Sequence, residues 1–405
     1  MLSRFHWHGN HGIDSSYHFA ADGEGGVLSP EREPASPISS RNSSFDWSKV
    51  VLNVALPFAG VAAALVLGAV MLLLLGANPL AAFSAIISGA FGSTFGLTQT
   101  LVKATPLLLV GAGICIAFRA NVINIGGEGQ IIVGALAATW FPLSFASAPG
   151  WLLLPSTLIV GFLAGSIWGF IPGILKARLH VNEILSTIMM NAIAQQFMNF
   201  LLQGPLMDPA GVAQGTFLAQ SAQLPHQVWL PRLVPRTLLH AGAIVAVVMA
   251  VLVYFFLWRT TIGYDIRAVG LNPEAARYSG IRVPRYQALS LTLAGGFAGL
   301  AGAIEVMGVQ HRLMDGLTSG YGFTGIVAAL LGGLHPLGLI PASVLFGALL
   351  VGADKMQRAV QVPSSLVMAL LGLIVLFVSS ASIWSRRWSA RRKIAEQRDR
   401  KEVES

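Results

Sequence analysis

Apolar runs, broken by short polar interruptions, fill most of the chain from residue 50 to residue 384. A helix rising about 1.5 Å per residue needs roughly 20 apolar residues to cross a hydrocarbon layer ~30 Å thick. The runs at 50–75, 151–175, 184–202, 237–258, 288–309 and 366–384 come near or exceed that length. Those at 104–118, 131–143, 323–334 and 340–351 fall short of it, and 81–93 is Gly-interrupted, which suits an interfacial or partly inserted helix. The pattern predicts an all-α, polytopic membrane protein of about ten transmembrane helices, with broken or short helices in two related halves.

The longest polar interruption between runs is 259–287, RTTIGYDIRAVGLNPEAARYSGIRVPRYQ. Within it Asn272 is a helix N-cap, Pro273 suits the first helical position, Glu274 complements the positive helix end and Gly280 stops the helix. A two-turn helix over 273–279 follows, with Ala275, Ala276 and Tyr278 as contact surface and Arg277 on its flank. A helix this short needs something to pack against. It is either a solvated loop helix or a docking element for a cytoplasmic partner. Residues 203–235, with five prolines and few charges, suit an ordered extramembranous loop.

Composition agrees with the membrane class: 54% of the 405 residues are hydrophobic and 11% charged. The net charge of +8 does not indicate nucleic-acid binding, because Lys and Arg are needed at cytoplasmic membrane boundaries. With both termini inside and ten crossings, 20 of the 26 Lys and Arg fall on the cytoplasmic side, including those of 259–287. Residues 1–49 read as a disordered cytoplasmic tail, and 385–405 as a basic cytoplasmic tail flanking a membrane domain over 50–384. The histidines His6, His8, His11 and His18 lie in that first tail without a scaffold, so no metal site is expected there. Cys115 is the single cysteine, which rules out an intrachain disulfide and a cysteine-built zinc site.

Two Gly-rich polar breaks carry the candidate chemistry: NIGGEGQ at 124–130 and GYGFTG at 320–325, each leading into a short apolar segment. GEGQIIVGALAA and GFTGIVAALLGG share small residues and apolar periodicity, as if one device were used twice. Unwound backbone at membrane depth is tolerated where it lines a cavity or is buried in protein, so such breaks point to a transport site. The other possibility for NIGGEGQ is a cytoplasmic turn. Glu128 is costly in lipid unless paired, neutralised or wet. Asn191, Gln195 and Gln196 need partners within their span, either neighbouring helices or solute, and Glu183 reads as a boundary residue. No Gly-Lys dipeptide occurs, which excludes a Walker A loop, and neither HExxH nor GxSxG is present. The chain is not expected to be an enzyme or to hold a cofactor.

FRANVINIGGEGQIIVGALAA, VNEILSTIMMNAIA, GPLMDP, IRAVGLNPEAARYSGIRV and GYGFTGIVAALLGGLHPLGLIPASVLFG closely resemble permease subunits of bacterial ABC importers. The superfamily is that of the ribose and branched-chain amino-acid permeases, and the likeness is greatest to its nucleoside and simple-sugar branch. It extends over 50–383. The resemblance implies a multi-pass subunit of the cytoplasmic membrane that pairs with an identical or paralogous permease. Such a subunit receives solute from an extracytoplasmic binding protein and is driven by a separate ATPase subunit, which binds the ATP. Asn272, Pro273, Glu274, Ala276, Arg277 and Tyr278 would then form the coupling helix seated on the ATPase. Asn124, Gly126, Glu128, Gln130, Asn191, Tyr321 and Phe323 would line the solute path. The alternatives are a stand-alone secondary transporter or channel using Glu128 for ion coupling, and a membrane scaffold, against which the polar breaks argue.

Overall fold

Side-chain caps open six of the described helices, at Asn78, Ser93, Asn182, Thr260, Asn272 and His335. The computed structural model describes residues 62–361 except positions 64, 214, 216 and 217, together with positions 369, 372, 373, 376, 377 and 380. The tail 1–49, most of the runs 50–75 and 366–384, and the basic tail 385–405 lie outside the described residues. Helix α1, Leu65–Leu74, is followed by α2, Pro79–Phe91, whose cap Asn78 accepts from Leu80 N at 2.9 Å. Ser93 Oγ accepts from Gly96 N at 3.0 Å and opens α3, Thr94–Arg119.

The 26-residue α3 corrects the expectation of a short segment at 104–118. Its first turns carry threonines that break the apolar pattern but return their hydroxyls to the helix. Thr98 donates to the Thr94 carbonyl at 2.9 Å and Thr105 to the Leu101 carbonyl at 2.8 Å. The same correction applies to 340–351, which lies inside the 25-residue α13, Pro336–Val360. For 131–143 the polar GEGQ forms the first turn of α4, Gly127–Ser144, rather than preceding it. Helix α12, Tyr321–Leu331, and α2 stay as short as the runs predicted.

Between these lie α5, Gly150–Leu179, and α6, Glu183–Leu202. Asn182 caps α6, and the turn before it is spanned by an ion pair from Lys176 Nζ to Glu183 Oε2 at 2.8 Å. Helix α7, Pro209–Ala213, and a 3-10 turn, His226–Val228, punctuate the long loop before α8, Gly242–Arg259. Two short helices follow, α9, Thr261–Leu271, and α10, Pro273–Tyr278. Helix α11, Val283–Glu305, continues into a π turn, Val306–Gln310. Among the described residues α3, α5, α8, α11 with its π turn, and α13 are long and apolar enough to cross a membrane. The chain is an all-α, multi-pass membrane protein.

The core is organised around α11, which packs on α3, α4 and α5. Helices in lipid gain little from apolar burial against one another, so close packing of small residues has to supply the contact. Gly161 and Gly165 of α5 meet Gly295 and Gly299 of α11 backbone to backbone, and Gly134 of α4 joins the same seam. A Cβ at Gly299 would lie 2.8 Å from the Gly165 Cα and overlap the Gly161 carbonyl oxygen.

At one end of the bundle the described part of loop 203–235 is ordered, as expected. Its backbone donates from Ser221 to Leu313 at 2.8 Å, from Leu224 to His311 at 2.9 Å and from Leu230 to Met307 at 3.1 Å. Trp229 stacks on His311 with centroids 3.8 Å apart. Helices α9 and α10 sit at the other end, where α8 finishes.

Changing Gly299 to Ala is expected to cost about 1–3 kcal/mol through overpacking of the α5–α11 seam. A lowered melting midpoint of the detergent-purified chain checks this. Gly372→Ala, at a helical position where a Cβ meets nothing within 4 Å, should not lower the midpoint.

Candidate functional site

The first break begins where α3 ends. Asn121 adopts φ 56°, a left-handed conformation that Asn tolerates, and the chain then runs unwound to Gly126 with Val122 and Asn124 buried. Freed backbone groups in such a stretch must find partners inside the protein. Asn124 Oδ1 accepts from Gly126 N at 2.9 Å, while its Nδ2 donates to Gln130 Oε1 at 2.9 Å. Asn191, reaching across from α6, donates from Nδ2 to the Ile125 carbonyl at 2.9 Å and accepts at Oδ1 from Gly129 N at 2.9 Å. NIGGEGQ is therefore a break buried inside the bundle and not a surface turn.

The expected break GYGFTG is corrected: residues 321–325 form the first turns of α12, and the unwound stretch is the preceding segment 311–320. Gly320, at φ +80°, turns the chain into α12 in a conformation open to glycine. Gly325 then lies against Val110 and Gly111, halfway along α3, so α12 starts deep in the bundle. There the two breaks meet. A Cβ at Gly127 would be 3.1 Å from the Gly322 Cα. Glu128 Oε1 accepts from Gly322 N at 2.8 Å and from Phe323 N at 3.4 Å. The carboxylate thus sits on the positive end of α12 and satisfies its first free N–H groups.

Three polar side chains at this junction escaped the sequence reading or were misplaced by it. Lys103 of α3 donates to the Tyr321 hydroxyl at 2.8 Å, with its ammonium 5.3 Å from the ring centroid. Glu305, at the end of α11, is buried. A lone Lys and a lone Glu within otherwise apolar runs were the available signal, because intramembrane charges are rare and paired.

The predicted path residues consequently divide into two groups. Asn124, Gly126, Glu128, Gln130 and Tyr321 are buried: Asn124 binds Gly126 and Gln130 within the first break, Glu128 reaches Gly322 of α12, and Tyr321 accepts from Lys103. Phe323 is 51% exposed and Asn191 half-buried. A separate polar stripe runs along α6 and is tied to the segment before α12. Gln195 Nε2 donates to Asp315 Oδ1 at 2.9 Å and to Asn199 Oδ1 at 3.2 Å, and Asn199 Nδ2 donates to Gln196 Oε1 at 3.3 Å. Amide and carboxylate groups on an outer face at this depth require water or protein against them, not lipid.

At the opposite end from loop 203–235, Asn272 Oδ1 accepts from Glu274 N at 3.0 Å and Ala275 N at 3.1 Å, and Pro273 opens α10. The helix ends at Tyr278, one residue before the expected limit, and Gly280 takes φ +83°. Asn272, Glu274, Ala275, Arg277 and Tyr278 are exposed. Ala276 corrects the expected contact surface: it is buried with Val269 and Val283 and anchors α10 from below. Helix α9 was not foreseen; its polar and aromatic residues hide an amphipathic repeat whose inner positions are Gly263, Ile266 and Val269. A Cβ at Gly270 would overlap the Arg119 carbonyl oxygen, which seats α9 on the last turn of α3 just before the first break. Arg119 also donates to the Leu334 carbonyl at 3.2 Å, and both Arg119 and Arg267 lie over the Trp258 ring.

Residues 96–379 match the family described as the permease component of branched-chain amino acid transport systems. A guanosine ABC transporter permease of Bacillus subtilis is 37% identical over 334 residues, covering 82% of this chain and 95% of the relative. A glucose ABC transporter permease of Haloferax volcanii is 35% identical over 338 residues, 82% of this chain and 88% of its own length. A nucleoside ABC transporter permease of Lactococcus lactis is 33% identical over 333 residues, 81% and 91% respectively.

Removing the Glu128 carboxyl leaves buried N–H groups of α12 without an acceptor, a cost of about 1–3 kcal/mol. Glu128→Ala should therefore lower the melting midpoint more than Glu128→Gln, which keeps one acceptor oxygen. Equal loss in both would mean that the charge, not the hydrogen bond, holds the junction.

Proposed function

Because the chain belongs to the family of permease components of branched-chain amino acid transport systems, we propose that it carries a nucleoside or simple sugar across the cytoplasmic membrane as one subunit of an ATP-driven importer. The relatives named for guanosine, glucose and nucleosides support that substrate range. ATP is hydrolysed by a separate subunit, consistent with a sequence that has no Walker A loop. Both termini and the α9–α10 end face the cytoplasm, in keeping with the distribution of Lys and Arg. An extracytoplasmic binding protein delivers solute at the loop 203–235 end, and a second permease, identical or paralogous, completes the assembly.

The observation that carries the mechanism is the stacking of α10, α9, the end of α3 and the first break in one continuous line. Tyr278 is 93% exposed and Leu271 88%, so the tip of the line offers a partner an aromatic and an aliphatic anchor beside Arg277. Ala276 and Gly270 fasten the same unit inward, so a push on α10 is delivered to Arg119 and Asn121. Closure of the partner ATPases moves this lever, and the permease rocks between outward-open and inward-open states. The solute path runs past the exposed Phe323 of α12 and the α6 polar positions Gln195, Gln196 and Asn199, and a second permease supplies the other wall. Asn124, Glu128 and Gln130 shape this wall from behind. The secondary-transporter alternative finds no support in Glu128, whose carboxyl is already engaged by α12.

In proteoliposomes holding the complete transporter, uptake of labelled guanosine should require ATP and be competed by other nucleosides. Uptake that persists without the ATPase subunit would overturn the importer reading. Arg277→Glu and Tyr278→Ala are expected to cut transport per ATP hydrolysed by about tenfold or more while membrane insertion stays normal. Ala276→Pro, by contrast, removes the Ala276 N to Asn272 carbonyl bond of 3.0 Å and should lower the yield of folded chain.

A further inference from the structure

A groove of about 500 Å³ opens between α5 and α11 at the α9–α10 end, outside the breaks and the docking surface. From α5 it is lined at helical spacing by Phe170, Ile174 and Arg178, and from α11 by Arg285, Leu289 and Thr292. Each set follows one face of its helix, so the two walls run side by side along the bundle. The Thr292 hydroxyl is turned back to the Ala288 carbonyl at 2.8 Å, which leaves the walls apolar. Arg178 stands at the last turn of α5 and Arg285 in the first turn of α11, so both guanidinium groups sit at the mouth, at the level where the spans end. Both are exposed, and among the described residues neither is paired with a carboxylate. Lys176, the nearby cation on α5, is already committed to Glu183.

An apolar trough capped at one end by two unpaired guanidinium groups matches an amphiphile with an anionic head. We propose that this groove binds an anionic phospholipid, its phosphate held between Arg178 and Arg285 and one acyl chain lying against Phe170, Ile174 and Leu289. Guanidinium groups suit phosphate because they present planar paired donors, and they bind it most strongly where a low-dielectric wall excludes water from one side. Basic pockets between membrane helices on the cytoplasmic side are recognised lipid head-group sites. The apolar length of the trough favours a lipid over a soluble phosphate, which would use only its mouth. The inference rests on the chain being a multi-pass membrane protein and is independent of the solute it carries.

The test is native mass spectrometry of the full-length chain after incubation with equimolar dioleoylphosphatidylglycerol and dioleoylphosphatidylcholine. Phosphatidylglycerol should be retained preferentially. Arg178→Gln with Arg285→Gln should lower its retention by tenfold or more, at roughly fivefold per guanidinium. Arg282→Gln, an exposed charge outside the groove, should change it by less than twofold. Leu289→Trp, which fills the trough and keeps both arginines, should also reduce retention and covers the case in which the double variant fails to fold. Equal retention of the two lipids, an unaffected double variant, or displacement by millimolar inorganic phosphate as effective as by lipid would overturn the proposal. So would loss of the bound lipid when a second permease co-purifies, since the groove would then belong to that subunit.

Discussion

One contact governs the interior of this protein: the Glu128 carboxylate of the first break closing the N-terminus of α12 in the second, 2.8 Å from Gly322 N. A helix that starts inside a bundle leaves unpaired N–H groups where water cannot reach them, and each needs an acceptor. A carboxylate answers both the missing acceptor and the positive end of the helix dipole. The glycines around it are a consequence. Gly127 and Gly322 let the two backbones approach closely enough for the carboxyl to reach, and Asn124, Gln130 and Asn191 then satisfy what the first break exposes. Glu128 is therefore a fastening between two discontinuous segments.

That fastening gives the transport reading its mechanical content. The break held by Glu128 begins immediately beyond Arg119, and Arg119 is the residue against which α9 is seated. The same residue holds the Leu334 carbonyl beyond α12, so the two segments joined at mid-depth are joined again at the α9–α10 end. A rigid unit tied at two levels moves as one piece, the behaviour required of a subunit that rocks between two states. The glycine seam of α5 and α11, dense and without bulky side chains, provides the body against which such a unit can turn.

Much of this architecture was legible in the chain. Asn272, Pro273 and Gly280 announced α10 to within one residue, because capping is a local interaction that depends on a few neighbouring atoms. The two Gly-rich breaks were found for a related reason: a polar, glycine-rich interruption within apolar runs has few structural explanations. Span lengths were less legible. Hydroxyls that bond to their own helix, as in Thr98, count as polar in a window of sequence yet cost little in a membrane, so α3 appeared eleven residues too short. The short helix α9 was missed because its amphipathic face is only three buried residues long.

The sequence by itself determined the membrane class, the all-α architecture, the local start of α10 and the position of the first break, since each follows from hydropathy, capping or backbone permissiveness within a few residues; the second break lay just before the glycines that pointed to it. Tertiary structure alone decided which polar groups serve the fold and which reach the surface. It turned Glu128 and Tyr321 inward, left Phe323 open, put Ala276 beneath α10 and Tyr278 above it, and set Arg178 beside Arg285 across residues far apart in the chain. The physical reason is that orientation about a helix axis is fixed by long-range packing. One residue step turns a side chain through about 100°, and neighbours from other helices, not adjacent residues, determine what it meets.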